Sequence, residues 1–398
     1  MAARRLLYCA AAAALMLSSC IYPFEPGIET ADNRIVIEGS VSIGGTSTFT
    51  FSRVVPFTAE EYTPPAMYFT GYIEGEDGSR INSAPVFSET KTSLQFDTPA
   101  SMPSQRYRVH FDEMVTGAAY ESDWMEVSDA PVIDDLRYIL DYNRNELNVA
   151  LSMHCNGYQH FRWYYDETWE YHSELLASHY LDFAYLYTDP ERSFVKFTPP
   201  NNIYYCWKSE DSPNIKIFST AEQVEDRFTD LEFHRVPRSS NKLQVLYRLV
   251  VHLEAIDENA YLYWKNIDEN TNNQGSIFSP VPSQMPGNIH CLTDPDAEVI
   301  GYINASRQVT AKLHYNNVKE DFYNGRSAEW ADITIEDVYD PGEFYKWYLR
   351  GYLPFTFIPA EMSETGMPTY QWATARCVDC RRAGGNKNRP ADWPNNDY

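Results

Sequence analysis

The sequence is short of positive charge. Its 398 residues include 32 Lys and Arg against 56 Asp and Glu, which gives a formal net charge of −24. Nucleic-acid affinity comes largely from Lys and Arg that displace counterions from phosphates, so this charge excludes nucleic acid as a default partner. With 43% hydrophobic and 15% aromatic residues the chain is too apolar for disorder, and its length suits about two domains.

Motifs of the common catalytic classes are also missing. The sequence has neither the G-x-G-x-x-G nor the P-loop pattern of nucleotide-binding proteins, and it lacks both HExxH and the G-x-S-x-G nucleophile elbow. Glu167 and Glu170 have the residue types of a glycosidase pair, but 56 acidic residues satisfy such spacing by chance. We therefore expect a non-enzymatic protein with no metal and no cofactor.

An apolar run of about a dozen residues follows a short positive segment at the N-terminus. It is shorter than the roughly 20 residues that a membrane-spanning helix needs, so it predicts a signal peptide over residues 1–19. Small residues precede Cys20, as in a lipoprotein lipobox, which predicts lipidation of Cys20 and a lipidated tether over residues 20–33. The alternative is an ordinary secretory signal with a chance cysteine. Ile21, in place of Asp, favours the outer membrane.

The predicted export signal places the cysteines in an oxidising compartment, where disulfides form. Cys9 leaves with the signal peptide and Cys20 carries the lipid; the remaining five are Cys155, Cys206, Cys291, Cys377 and Cys380. Because five is odd, at least one stays unpaired or pairs between chains. Cys377 and Cys380 form a CxxC motif, for which a structural disulfide is favoured over a redox pair or half of a metal site. Cys206 and Cys291 are the expected second pair.

Alternating apolar residues begin at Ile35 and Ile37, and turn residues recur every 8–12 positions. This spacing predicts an Ig-like β-sandwich over residues 34–130. Proline and acidic residues near position 130 mark a boundary, and a larger, mainly β domain is expected over residues 131–375.

One main helix is predicted in this second domain, over about residues 257–273. Ala260, Tyr263, Trp264 and Ile267 recur at helical spacing, and Asp257 can cap the first turn. The aromatic stripe is interpreted as a core face rather than a ligand site.

Residues 376–398 form a basic CxxC tail in this acidic chain. Over residues 376–390, five cationic side chains stand against the single carboxylate of Asp379. The tail either packs against the protein's own acidic body or docks to an acidic partner. The first alternative is favoured because the CxxC motif and Trp393 provide a covalent link and an apolar anchor.

Aromatic residues are the main candidates for ligand contact, since tyrosine and tryptophan stack on sugars and fill protein interfaces. The densest group runs from Phe161 to Tyr165. On a strand, Phe161, Trp163 and Tyr165 share one face, so a sandwich core is favoured over an exposed platform.

Several segments together resemble a Bacteroidota lipoprotein family catalogued as domain of unknown function 4249. They are the lipobox with residues 23–26, then residues 35–39, 161–163, 167–171, 205–208, 260–264, 275–278, 282–283, 287–289, 299–302, 377–381, 384–386 and 390–393. The resemblance covers essentially the whole mature chain. It implies an outer-membrane lipoprotein, commonly encoded beside a TonB-dependent receptor, with no established enzymatic activity and no agreed site.

The sequence and this resemblance favour a non-enzymatic, lipid-anchored outer-membrane protein on the cell surface or the periplasmic face. Its expected role is that of an accessory or ligand-binding partner of a TonB-dependent transporter, with glycan or peptide as cargo. The alternative is a stand-alone glycan-binding surface lipoprotein.

Overall fold

The computed structural model describes residues 34–54, 67–87, 92–155, 157, 160–197, 203–212, 216–223, 225–272, 287–325 and 333–394. The predicted signal peptide, Cys20 and the tether lie outside these residues. The fold is mainly β, as predicted, with 50% strand and 14% helix. Among the described residues no helix is long and apolar enough to cross a membrane.

The strands before residue 131 form a first sandwich. They are β1 (Ile35–Gly39), β2 (Val41–Ser42), β3 (Gly45–Arg53), β4 (Phe69–Gly75), β5 (Arg80–Asn82), β6 (Ala84–Phe87), β7 (Thr92–Thr98), β8 (Arg106–Glu113), β9 (Ala119–Ser122) and β10 (Met125–Ser128). One sheet contains β1, β3, β7 and β6, and the facing sheet contains β10, β8, β4 and β5. Alternate residues of both sheets fill the space between them: Phe51 of β3 stacks on Phe69 of β4 with ring centroids 3.9 Å apart.

The chain returns to this sandwich after residue 287. Strands β20 (Ile289–Cys291), β21 (Val299–Ile300) and β22 (Ala305–Ser306) pair with β9, with β1, and with both β2 and β10, respectively. The boundary that the sequence predicts near residue 130 would place these three strands in the second domain, whereas they pair with strands of the first sandwich. Gly301 allows the close approach, because it adopts φ +145° and a Cβ atom there would collide with the carbonyl oxygen of Ile37.

The remaining strands form a second sandwich and small outer sheets. They are β11 (Val132–Asp141), β12 (Glu146–His154), β13 (His160–His172), β14 (His179–Leu181), β15 (Phe194–Lys196), β16 (Tyr205–Asp211), β17 (Lys216–Ser219), β18 (Arg227–Pro237), β19 (Leu246–Ile256), β23 (Val309–Asn316), β24 (Ile335–Val338), β25 (Tyr352–Ile358) and β26 (Thr369–Thr374). One sheet of this sandwich has the strand order β11-β12-β18, and it faces a sheet with the order β16-β13-β19-β23. Strands β14-β15 and β24-β26-β25 form two separate sheets. The long strands β13 and β19 run antiparallel along their length at the centre of this sandwich.

The α-helices of the described part of the chain are α1 (Pro190–Ser193), α2 (Glu258–Asn272), α3 (Asn317–Glu320), α4 (Phe344–Leu349) and α5 (Ala375–Val378). The predicted main helix is α2, and Asp257 caps it by accepting a 2.8 Å hydrogen bond from the Ala260 amide. Ala260 and Tyr263 are buried, whereas Ile267 is 39% exposed. The predicted core stripe is therefore confined to the first half of the helix.

A buried ion pair lies where the two sandwiches meet. Arg162 of β13 and Glu254 of β19 are 4% and 1% exposed, and the Arg162 Nε donates to Glu254 Oε1 at 2.5 Å. The other carboxylate oxygen accepts hydrogen bonds from the Asn304 side chain, at 3.1 Å, and from the Ser306 hydroxyl. Ser306 belongs to β22 of the first sandwich. This inter-sandwich ion pair therefore joins side chains from both halves of the molecule.

Removing one member of this pair is expected to destabilise the whole chain. Glu254→Ala leaves the Arg162 charge buried without its carboxylate, so we expect the free energy of unfolding to fall by about 3–5 kcal/mol. Glu298→Ala is the matched control, because Glu298 is 59% exposed in its ion pair with Arg34 and its loss should cost below about 1 kcal/mol. Urea denaturation followed by circular dichroism measures both. Equal losses in the two variants would contradict a structural role for the buried pair.

Candidate functional site

The C-terminal tail packs against β13 and β16 of the second sandwich. Asn386 exchanges two backbone hydrogen bonds of 2.9 Å with Trp207, and the indole nitrogen of Trp393 donates to Glu170 Oε2 at 2.9 Å. Asp392 pairs with Arg248 at 2.7 Å and with Lys312 at 3.0 Å. The tail thus packs against the protein's own body, which is the alternative that the sequence favoured.

The disulfide that fixes the tail differs from both predicted pairs. It joins Cys206 of β16 to Cys380, with the Cα atoms 5.7 Å apart, so the predicted pairs Cys377–Cys380 and Cys206–Cys291 are wrong. Cys377 is buried in the same core cluster as the disulfide, and Cys291 lies on β20 in the first sandwich. The CxxC spacing is a local signal, whereas the fold brings Cys380 to a strand 174 residues earlier.

Close packing holds the tail in one position. Gly385 lies directly over this disulfide, and a Cβ atom there would come within 2.7 Å of the Cys206 Cβ and would collide with the Tyr171 hydroxyl. That hydroxyl donates a 2.7 Å hydrogen bond to the carbonyl oxygen of Cys380. Only glycine fits at position 385, so the residues on either side of it are fixed relative to β13.

A cavity of about 430 Å³ lies between the tail and the outer sheets, and we call it the tail cleft. One wall is apolar and aromatic and the other comes from the tail. The described residues that line it are Tyr180, Leu181, Phe183, Phe197, Ile203, Tyr348, Leu353, Pro354, Asp379, Arg381, Arg382 and Lys387. This combination of an apolar wall with a few polar groups is typical of small-molecule sites.

The aromatic wall of the tail cleft is accessible to solvent. Phe183 is 49% exposed, and its ring packs edge-on against Tyr348 with centroids 4.8 Å apart. In the same lining, the ring centroids of Tyr180 and Phe197 lie 5.0 Å apart. These rings offer flat apolar faces to a ligand.

The tail contributes three cations and one carboxylate to the cleft. Asp379 is buried and binds Arg381 through both its oxygens, at 2.9 and 2.7 Å, and these hydrogen bonds raise the pKa of Arg381. Partial desolvation lowers the pKa of Lys387, and the nearby charge of Arg381 lowers it further. No carboxylate among the described residues forms an ion pair with Arg382. The cleft therefore carries positive charge that its own carboxylate does not balance.

The polar groups of the described lining are three cations, two tyrosine hydroxyls and one carboxylate. The described lining residues include no serine, threonine, cysteine or histidine, the side chains that most often act as nucleophile or general base. The one carboxylate, Asp379, is already held by Arg381.

A second cavity, of about 730 Å³, opens beside β1 and β8 in the first sandwich. Both of its arginines pair with carboxylates: Arg53 donates to both oxygens of Glu113, at 2.8 and 3.0 Å, and Arg34 pairs with Glu298. The tail cleft is the stronger ligand site because it combines an apolar wall with a cation that no described carboxylate pairs.

The two residues that suggested a glycosidase pair lie on opposite faces of β13. Glu170 faces the tail, where it binds Trp393, while Glu167 points into the sandwich core. Glu167 accepts hydrogen bonds from His234 at 3.0 Å, Lys242 at 2.6 Å and Tyr247 at 2.7 Å. The two carboxylates do not converge on one cavity.

Hydrogen bonding sets the charge state of this core cluster. Burial alone raises the pKa of Glu167, but the hydrogen bonds and positive charges of His234 and Lys242 outweigh burial and lower the pKa to about 2. Burial and the Glu167 charge raise the pKa of Tyr247 well above its usual value, so its hydroxyl remains a donor. Glu167 is therefore a structural carboxylate of the core.

The densest aromatic group is also structural. Phe161 and Trp163 are 0% and 6% exposed and pack in the core, as predicted. Tyr164, on the opposite face, stacks on His252 with centroids 4.5 Å apart. This group does not form an exposed platform, whereas Phe183 of the tail cleft is both exposed and part of a cavity lining.

These features define a β-rich protein of two joined sandwiches with a cleft closed by its C-terminal tail. A family model for a domain of unknown function, DUF4249, matches residues 21–312, and the chain belongs to that family. The matched range includes Cys206 of the disulfide, whereas Cys380 and the tail residues of the cleft follow it in the sequence.

Other comparisons add little. No curated protein matches the sequence. Among solved structures, a DUF4785 family protein from Legionella pneumophila aligns at 8% identity with a TM-score of 0.17, over 56% of this chain and 51% of that one. The chain thus spans about half the length of that structure, and at this TM-score the likeness carries no argument.

The depressed pKa of Glu167 predicts a loss of stability in acid. Its pKa is about 2 in the folded chain against 4.5 ordinarily, so its contribution is complete above pH 4.5 and is lost as the pH falls towards 2. We expect the difference in unfolding free energy between wild type and Glu167→Gln to shrink by roughly 3 kcal/mol over this range. Urea denaturation at steps from pH 5 to pH 2 measures this difference. Glu361→Gln, at an exposed position, is the control. If the difference in unfolding free energy between wild type and Glu167→Gln does not change with pH, the lowered pKa of Glu167 is contradicted.

Proposed function

We propose that this protein is a non-enzymatic, lipid-anchored outer-membrane lipoprotein that serves as an accessory or ligand-binding partner of a TonB-dependent transporter. The observation that carries the proposal is the tail cleft, which combines aromatic side chains with cations of the C-terminal tail. Such a lining supports capture of a ligand.

The lipobox supports the anchor. Three acyl chains at Cys20 would each contribute roughly 0.8 kcal/mol per buried methylene, which is ample for stable attachment without a spanning helix. Ile21 favours the outer membrane, on the cell surface or its periplasmic face.

An exposed apolar patch beside the cleft supports contact with a partner. It comprises Phe183, Tyr187, Tyr345 and Leu349, of which Tyr187 and Leu349 are 70% and 65% exposed. The rings of Tyr187 and Tyr345 lie 5.0 Å apart, and Phe183 belongs to the cleft wall as well. Contiguous exposed apolar residues are typical of protein interaction sites. We propose this patch as the transporter contact, adjacent to the site of the cargo.

An affinity purification tests the proposal. The full chain, tagged after Tyr398 and extracted in mild detergent from the outer membranes of the cells that produce it, should co-elute with one TonB-dependent receptor in stoichiometric amount. Leu349→Asp places a charge in the patch and should reduce this recovery several-fold, since burial of a charge in an interface is unfavourable. Mass spectrometry of the eluate measures the ratio of receptor to lipoprotein.

Two matched variants complete the experiment. Val318→Asp changes a residue of similar exposure, 61%, on α3 and should leave the recovery unchanged. Cys20→Ala should move the protein to the soluble fraction, and a Cys20→Ala form that stays with the membranes would contradict the anchor. A protein recovered without any receptor would contradict the accessory role, and polysaccharide binding by that protein alone would favour the stand-alone glycan-binding lipoprotein instead.

A further inference from the structure

We propose that the tail cleft binds a small organic anion with an apolar or aromatic body. The anionic group, a carboxylate or a phosphate, is held by Arg382 and Lys387, and the body packs against Phe183 and Tyr348. This inference deepens the proposed function and rests on it in one respect, namely that the cleft is a ligand site.

The charge of the cleft is opposite to that of the chain. The chain carries a net charge of −24, yet its tail brings three cations and one carboxylate to the same cavity. Asp379 is occupied by Arg381, so the charges of Arg382 and Lys387 remain for a ligand. A local cluster of one sign at a cavity raises the local concentration of ligands of the opposite sign. The acidic body disfavours anions elsewhere on the surface, so the cleft is selective for them.

Hydrogen-bond donors also remain available. Asp379 accepts from Nε and Nη2 of Arg381, and no described residue accepts a hydrogen bond from Arg381 Nη1. Lys387 donates one hydrogen bond to the carbonyl oxygen of Tyr205, and an ammonium group has three donors. Carboxylates and phosphates accept several such charge-assisted hydrogen bonds at once. The donor set therefore matches an anionic oxygen group better than a neutral one.

The size of the cleft limits the rest of the ligand. Its volume of about 430 Å³ falls in the range of small-molecule pockets, roughly 300–1,000 Å³. The rest of its lining consists mostly of aromatic and aliphatic side chains, among them the Phe183 and Tyr348 rings, which contact each other. A flat or apolar body of one or two rings fits this wall.

The cations are held in place before any ligand binds. Cys380, which forms the disulfide, directly precedes Arg381 and Arg382. Asn386, which directly precedes Lys387, is held by two backbone hydrogen bonds to Trp207. A rigid frame lowers the entropy cost of binding, because the cationic backbone positions need not be ordered by the ligand.

Isothermal titration calorimetry with matched probes tests the inference. The full lipidated chain in a neutral detergent is titrated with naphthalene-2-carboxylate, 2-naphthyl phosphate and the neutral naphthalene-2-carboxamide, with detergent blanks subtracted. We expect at least one anion to bind about tenfold or more tightly than the carboxamide. The preferred anion identifies the head group as carboxylate or phosphate. Equal affinity for anions and carboxamide, or no binding of any probe, would overturn the inference.

Variants place the binding in the cleft. Arg382→Gln should reduce anion affinity about tenfold and leave carboxamide affinity unchanged, whereas Phe183→Ala should weaken both to a similar extent. Arg376→Gln removes the same charge from an exposed tail position outside the lining and should change neither. Thermal unfolding of each variant verifies the fold. An equal loss of anion affinity in Arg382→Gln and Arg376→Gln would overturn the assignment of the site.

The two proposals fail in different ways. Anion binding that depends on Arg382, together with a purified protein that lacks a receptor, would retain the ligand class and reject the transporter role. A stoichiometric receptor without selective anion binding would retain the transporter role and reject the ligand class.

Discussion

The inter-sandwich ion pair is the contact on which the rest of the architecture depends. Arg162 and Glu254 lie on the outer face of the β13–β19 sheet, the face that strand alternation alone would leave to solvent. Ser306 and Asn304 complete the hydrogen bonds of the carboxylate, so the buried charges are satisfied only when β22 and the loop before it are in place. A buried pair of this kind adds little net stability but strongly disfavours arrangements that leave it unpaired. The central sheet is thereby covered on both faces.

The C-terminal tail covers another part of the same sheet, where it packs against β13 and β16. Glu170 of β13 is buried there by Trp393, and the Cys206–Cys380 disulfide links the tail to the edge strand β16. The tail therefore has a structural and a functional consequence. It completes the packing of the sandwich, and it carries Arg382 and Lys387 to an aromatic wall that would otherwise lack a cation. The candidate site therefore depends on the C-terminal tail, which folds back onto β16.

Local patterns predicted much of the fold and little of the site. Alternation identified strands such as β1 and β13, and helical spacing with the Asp257 cap identified α2, because these signals lie within a few residues of one another. The return of β20–β22 to the first sandwich, the Cys206–Cys380 disulfide and the small sheet β24-β26-β25 depend on contacts between residues far apart in sequence. The basic tail and Trp393 were recognised from composition, but the aromatic wall that faces them was not, since Phe183 and Tyr348 become neighbours only in the folded chain.

If the tail cleft is an anion site, its ligand should be bound already in the protein as cells produce it. Native mass spectrometry of the protein, purified without denaturation from the cells that produce it, would detect this ligand. We expect one small-molecule adduct per chain that is present in wild type and absent from Arg382→Gln. A bare mass in wild type, or an adduct retained equally by Arg382→Gln, would contradict this expectation.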